Sequence, residues 1–171
     1  MATKQGKFVD LIDNTERYKA RLYQFFLDFG KWREFKPPIP LPWKKISFDV
    51  ASKPMVPKER GLYVFTLELP SCPLPQHGYI MYVGHTGNTS AATLRSRFGQ
   101  YLDDLRRQDG RGRVYYMLER FKGDIFFSFV PVADRAVDLK KIEVSLINSV
   151  APPVNTGDFD IVMSHVRRTL F

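Results

Sequence analysis

The chain has 171 residues, 44% hydrophobic and 26% charged, a size and balance that suit one soluble globular domain and exclude a disordered chain. Its one cysteine, Cys72, excludes an internal disulfide or a cysteine zinc site and points to a reducing, cytoplasmic setting, while no apolar run approaches the roughly 20 residues of a membrane helix. Lysine and arginine number 26 against 18 aspartate and glutamate, and this net charge of +8 favours a polyanionic partner such as nucleic acid.

The opening stretch MATKQGKFVDLIDNTERYK lacks the apolar core of a secretory signal. Over residues 14 to 29, Tyr18, Leu22, Phe25, Phe26 and Phe29 recur on one helical face, which predicts an amphipathic helix stopped at Gly30. KPPIPLPW, residues 36 to 43, carries four prolines, so it reads as an extended connector that can continue neither a helix nor a central strand. Residues 1 to 59 are therefore expected to form an N-terminal helical and extended arm docked on the main domain.

GLYVFTLEL, residues 61 to 69, has the apolar, aromatic and β-branched character of a buried strand. Turn residues fill LPSCPLPQHG, and YIMYV at 79 to 83 makes a second strand. Thr89 or Ser90 can cap a helix over 89 to 106 whose apolar stripe is Leu94, Phe98, Tyr101, Leu102 and Leu105. A basic loop, RRQDGRGR, occupies 106 to 113. DIFFSFVPV at 124 to 132 is a third strand, and a last helix over 134 to 150 ends before Pro152 and Pro153. Strands and helices mixed in this order give an α/β (α+β) fold class, with 60 to 157 as the main domain and 158 to 171 as a C-terminal basic tail.

On the last helix, Leu139, Leu146 and Val150 fall on one side of Glu143 and Ile147 on the other, at about 100° per residue. A carboxylate inside an apolar stripe must be paired or bind a metal, so Glu143 is either salt-bridged or a ligand. As the one such carboxylate evident, it would leave a metal most of its water, as Mg²⁺ tolerates.

GLY at 61 to 63, YVG at 82 to 84, Arg97 within LRSRFGQYL, Glu143, and Asn155 within APPVN resemble, in order, the motif blocks of the GIY-YIG nuclease family. The resemblance covers residues 61 to 155. It implies the GIY-YIG nuclease fold, a small three-stranded, mostly antiparallel sheet flanked by helices, over the domain at 60 to 157. Tyr63 and Tyr82 match the tyrosines of the two triplets, and Gly84 suits a tight backbone where the second strand ends. His85 stands where relatives of the excinuclease kind usually carry a lysine, and a histidine there can donate to phosphate or take a proton. Helical periodicity does not choose between Arg95 and Arg97. The family pattern favours Arg97, which precedes Phe98 and stands four before Tyr101. Asn155 matches the asparagine that braces the site by hydrogen bonds.

The nine-residue link from Asn88 to Arg97 and the long arm resemble the restriction-endonuclease branch. The resemblance implies a DNA endonuclease that leaves 5′-phosphate and 3′-hydroxyl ends, with restriction-type double-strand cleavage. In it Glu143 holds Mg²⁺ or Mn²⁺ and Arg97 is the fixed cation on the phosphate. Tyr63, helped by Tyr82 or His85, orients or deprotonates the attacking water, and Tyr63 does so only if the metal and Arg97 lower its pKa. Arg95, Arg106, Arg107, Arg111, Arg113, Lys140 and Lys141 are candidates for DNA contact. A symmetric target calls for two active sites, hence a homodimer or two successive nicks. The rivals are a nuclease that recognises junctions, flaps or lesions, and a catalytically silent DNA-binding protein in which Glu143 pairs with a basic side chain.

Overall fold

The computed structural model describes residue 25 and residues 28–69, 75, 77–108, 112–161 and 163–165. In chain order these form α1 (Phe29–Glu34), β1 (Lys44–Ser47), a 3-10 turn (Lys53–Met55), β2 (Gly61–Glu68), β3 (Gly78–Thr86), α2 (Leu94–Arg107), α3 (Gly112–Arg120), β4 (Ile125–Pro131) and α4 (Leu139–Val150). The fold is mixed α+β, built on one antiparallel four-stranded sheet of order β1-β4-β2-β3.

That is one strand more than expected. β1 comes from the segment read as arm and pairs along the outer side of β4. Of its four residues only Ile46 is half-buried, too little to show a period of two in the sequence. Exposed Lys44 and Lys45 on such a short edge strand also discourage pairing with another chain.

Other boundaries moved for local reasons. Most of the helix expected over 14 to 29, and Cys72, lie outside the described residues. Gly30 does not stop a helix: α1 runs through it from a cap at Asp28, whose carboxylate accepts from Lys31 N at 3.1 Å. Thr93, rather than Thr89 or Ser90, caps α2, because Ser96 answers it with a reciprocal bond to the Thr93 N–H. The basic loop is shorter than expected, since Arg106 and Arg107 close α2 and Gly112 and Arg113 open α3. In α3, an element not expected from the sequence, Val114, Met117 and Leu118 are buried at helical spacing.

Alternation along the strands divides the core between the two faces of the sheet. Tyr63 and Phe65 on β2, Tyr82 on β3, and Phe127 and Phe129 on β4 pack with Leu94, Phe98 and Tyr101 of α2 and with α3. Burying an aromatic such as Phe65 or Phe127 fully stabilises the fold by about 1.5–3 kcal/mol. Leu62, Val64, Val83 and Val130 point the other way, against Leu139, Ile142, Leu146 and Ile147 of α4.

β3 ends the sheet, but its outer edge is covered. Val154 N donates to Met81 O at 3.1 Å, and Asn155 takes both groups of Val83, accepting from its N–H and donating to its carbonyl at 2.9 Å each. The buried Asn155 amide thus stands in for a neighbouring strand. Asn155→Ala strands two buried backbone groups at about 1–3 kcal/mol apiece. Urea unfolding should show a loss in that range or above it; an unchanged midpoint would mean that the edge needs no brace.

Gly84 is not at the end of β3. The strand continues to Thr86, and the turn is made by Gly87 at φ 76°. Gly84 lies opposite Tyr63, and a Cβ there would collide with the Tyr63 ring. The bare backbone at this point is what gives the Tyr63 phenol its place.

Candidate active site

Because β3 is the edge strand, groups from both faces of the sheet can meet around it. They do so in an open cleft of about 730 Å³ lined by Tyr63, Tyr82, His85, Arg97, Glu143 and Asn155, among others. Tyr63 and Tyr82 share a face with Arg97 on α2. His85, opposite Leu62 in register, belongs to the other face, towards Glu143 on α4. Every residue singled out for chemistry in the sequence therefore reaches one cavity, from two strands, two helices and the loop after α4.

Glu143 is buried, and both of its contacts fall on Oε2: Lys140 Nζ donates to it at 2.9 Å, and His85 Nδ1 lies 2.9 Å away with the ring turned off the hydrogen-bond line. Burial pushes the carboxyl up, but His85 and Lys140 outweigh it and hold Glu143 below its ordinary 4.5. Burial likewise works against the Lys140 ammonium, and Asp158 at 2.7 Å together with Glu143 holds it above 10.5.

A depressed carboxyl pKa contributes stability that is present above the unfolded value and is lost as pH falls through the folded one. In EDTA, the wild type should lose more stability than Glu143→Gln as pH drops from neutral to about 3. Urea titrations across that range check it, and parallel curves for the two proteins would show that the pair carries no linkage.

Arg97 is half-buried in the cleft wall. Its Nη1 donates to Gln100 Oε1 at 2.7 Å, while its buried Nε has no partner. Behind it the Tyr63 and Tyr101 hydroxyls are 2.9 Å apart. Burial raises the Tyr63 phenol well above 10.0, Tyr101 and Tyr82 add to this, and Arg97 opposes it least of all. Burial likewise raises Tyr101. Tyr63 is thus a neutral hydrogen-bonding group as built, and Arg97 alone does not offset its burial. His85 borders the same cleft, with Nδ1 2.9 Å from Glu143 Oε2.

The basic candidates divide. Arg113 and Lys140 line the cleft. Arg106 is exposed and pairs with Asp103 at 3.0 Å, and Arg107 is exposed at the end of α2. Lys141 borders a separate groove with Phe35 and Ile142. Arg95 is occupied, with Nε donating to Val56 O at 2.6 Å and Nη2 to Pro54 O at 2.8 Å, so it ties α2 to the 3-10 turn. Arg111 lies outside the described residues.

Sequence reasoning missed the frame around these groups. The buried Arg60 donates to the carbonyls of Asp134 and Val137 at 2.7 and 2.8 Å and to Asn88 Oδ1 at 3.1 Å. Asn88 Oδ1 also accepts from Leu139 N at 2.9 Å, so one side chain fixes the turn after β3 to the start of α4. Nothing local in KERGLY or HTGNTS shows these long-range contacts. The Lys140 partner, three residues before Glu143, was visible in the spacing.

For a magnesium or manganese ion the donor set is adequate though sparse. Glu143 Oε1 takes part in no bond, but among the described residues no three His, Cys, Asp or Glu side chains form a cage. One carboxylate with water and a substrate phosphate suits Mg²⁺, which keeps much of its hydration. Lys140 and His85, on the other oxygen, would sit beside it.

Comparison of the chain with family models, curated proteins and solved structures gave no match. No helix among the described residues is long and apolar enough to cross a membrane.

Proposed function

We propose that this cleft is the active centre of a GIY-YIG-type DNA endonuclease that hydrolyses phosphodiester bonds to 5′-phosphate and 3′-hydroxyl ends. The observation that carries the reading is the pair of opposed charges in one open cleft: an arginine from α2 with a buried, unpartnered Nε, and the Glu143 carboxylate from α4. A phosphodiester in that space would have a fixed cation on its oxygens and a carboxylate available to a metal.

Arg97 binds and orients the phosphate without changing its charge state. His85, beside the Glu143 carboxylate, takes a proton from the attacking water. Tyr63, neutral and held against Tyr101, orients the water with its hydroxyl. Asn155 fixes the β3 edge on which Tyr82 and His85 stand. A divalent ion held by Glu143 would supply Lewis-acid neutralisation of the charge that develops on the phosphate and the leaving 3′ oxygen. Restriction-type cleavage of both strands needs two such clefts, in a homodimer or in successive nicks.

The test is incubation of end-labelled DNA with the full chain in Mg²⁺ or in EDTA, followed by DNA ligase. Fragments that appear only with Mg²⁺ and can be rejoined support the reading, and ends that cannot be rejoined contradict the chemistry. A second reading, a silent DNA-binding protein of the same fold, is favoured by one specific observation: Glu143 already pairs with Lys140. It predicts binding that is indifferent to metal and no cleavage on any substrate.

A further inference from the structure

Helix α3 begins at the cleft, where Gly112, Arg113 and Val114 line the wall, and runs away from it. Its outer face carries Arg113, Tyr116 and Arg120, within an arc of about 60° at helical spacing. All of these side chains are exposed, and the Tyr116 ring at 70% is among the most exposed large apolar groups of the described chain. Neither arginine has a carboxylate partner among the described residues, and exposed Glu119 lies farther round the helix. The Tyr115 ring stands edge-on to Tyr116 with centroids 6.0 Å apart, which limits how far the outer ring can tilt.

We infer that this stripe is a docking surface for a single-stranded stretch of DNA next to the scissile bond, with an unpaired base stacked on Tyr116 and its flanking phosphates on Arg113 and Arg120. The inference rests on the nuclease reading and chooses a substrate class within it: DNA with an unpaired segment beside the cut, in place of a restriction-type duplex site. The occupant follows from the chemistry. Unpaired guanidinium groups on a surface that leads out of a phosphate-binding cleft are complementary to a polyanion. Arg113 and Arg120 are about 10 Å apart along the axis, room for one nucleotide between the phosphates they hold. An aromatic ring standing clear of a helix offers its face to a base, and within a duplex the faces of the bases are already covered by one another.

The test is fluorescence anisotropy in EDTA, where no cleavage competes, on a blunt duplex and on the same duplex with a single-stranded tail. The full chain should bind the tailed duplex more tightly. Tyr116→Ala should weaken binding to the tailed duplex about tenfold and to the blunt one far less, while Tyr116→Trp keeps the preference. Equal affinity for the two duplexes, or a preference that survives Tyr116→Ala, overturns the inference. Cleavage in Mg²⁺ is followed in parallel. A protein that cuts without a Tyr116-dependent preference loses only this inference, one that shows the preference but never cuts loses the nuclease reading, and one that binds neither duplex loses both.

Discussion

Glu143→Gln is expected to lower Mg²⁺-dependent DNA cleavage by about a thousandfold or more while DNA affinity stays within about twofold. The substitution keeps the size of the side chain and removes the charge that would hold a metal. Lys140 retains Asp158 as a partner at 2.7 Å, so the local fold has a second anchor when the carboxylate is lost. The basic side chains that would attract DNA are untouched. A melting experiment separates this account from a purely structural ion pair: Mg²⁺ or Mn²⁺ should raise the wild-type melting temperature and leave the variant unmoved, because only a binding site gives that linkage. If the carboxylate served the ion pair alone, the variant would melt lower than the wild type with or without metal, and metal would shift neither.

Arg97→Ala comes next in size, with a loss of about a hundred- to a thousandfold in single-turnover cleavage. The guanidinium is preorganised: Gln100 holds one end and burial fixes Nε without a competing acceptor, so little has to reorder when a phosphate arrives. Arg97→Lys should recover part of the loss, since an ammonium restores the charge but not the planar, forked donor set. Cleavage by Arg97→Ala at the wild-type rate would remove the phosphate-binding role and, with it, the main physical argument for the cleft. Arg95→Ala is the contrasting case. Arg95 bonds to Val56 and Pro54 on the 3-10 turn, so its loss should appear in thermal stability before it appears in single-turnover rate.

What was legible in the sequence was what depends on local period and residue type. The apolar, aromatic and β-branched run GLYVFTLEL marked β2 as a buried strand, and helical spacing placed Glu143 within an apolar stripe where it is in fact buried. Those two regularities, with the ordered family-like blocks, were enough to nominate residues that share one cleft. What stayed hidden depends on contacts between distant segments. β1 has a single half-buried apolar residue and forms because β4 offers it an edge. The length of β3 beyond Gly84 depends on Gly61 and Leu62 pairing with Thr86 and His85, which no window around YVGHT contains. The raised pKa of Tyr63 is likewise a tertiary effect, of burial beside Tyr101 and Tyr82.

The most direct test of the central claim is single-turnover incubation of supercoiled plasmid and of a tailed duplex with wild-type protein and Glu143→Gln, each with Mg²⁺ and with EDTA. The account predicts nicked, linear or shortened products from the wild type in Mg²⁺ alone. Cleavage that persists in EDTA or in Glu143→Gln, or intact DNA under every condition despite tight binding, would contradict it.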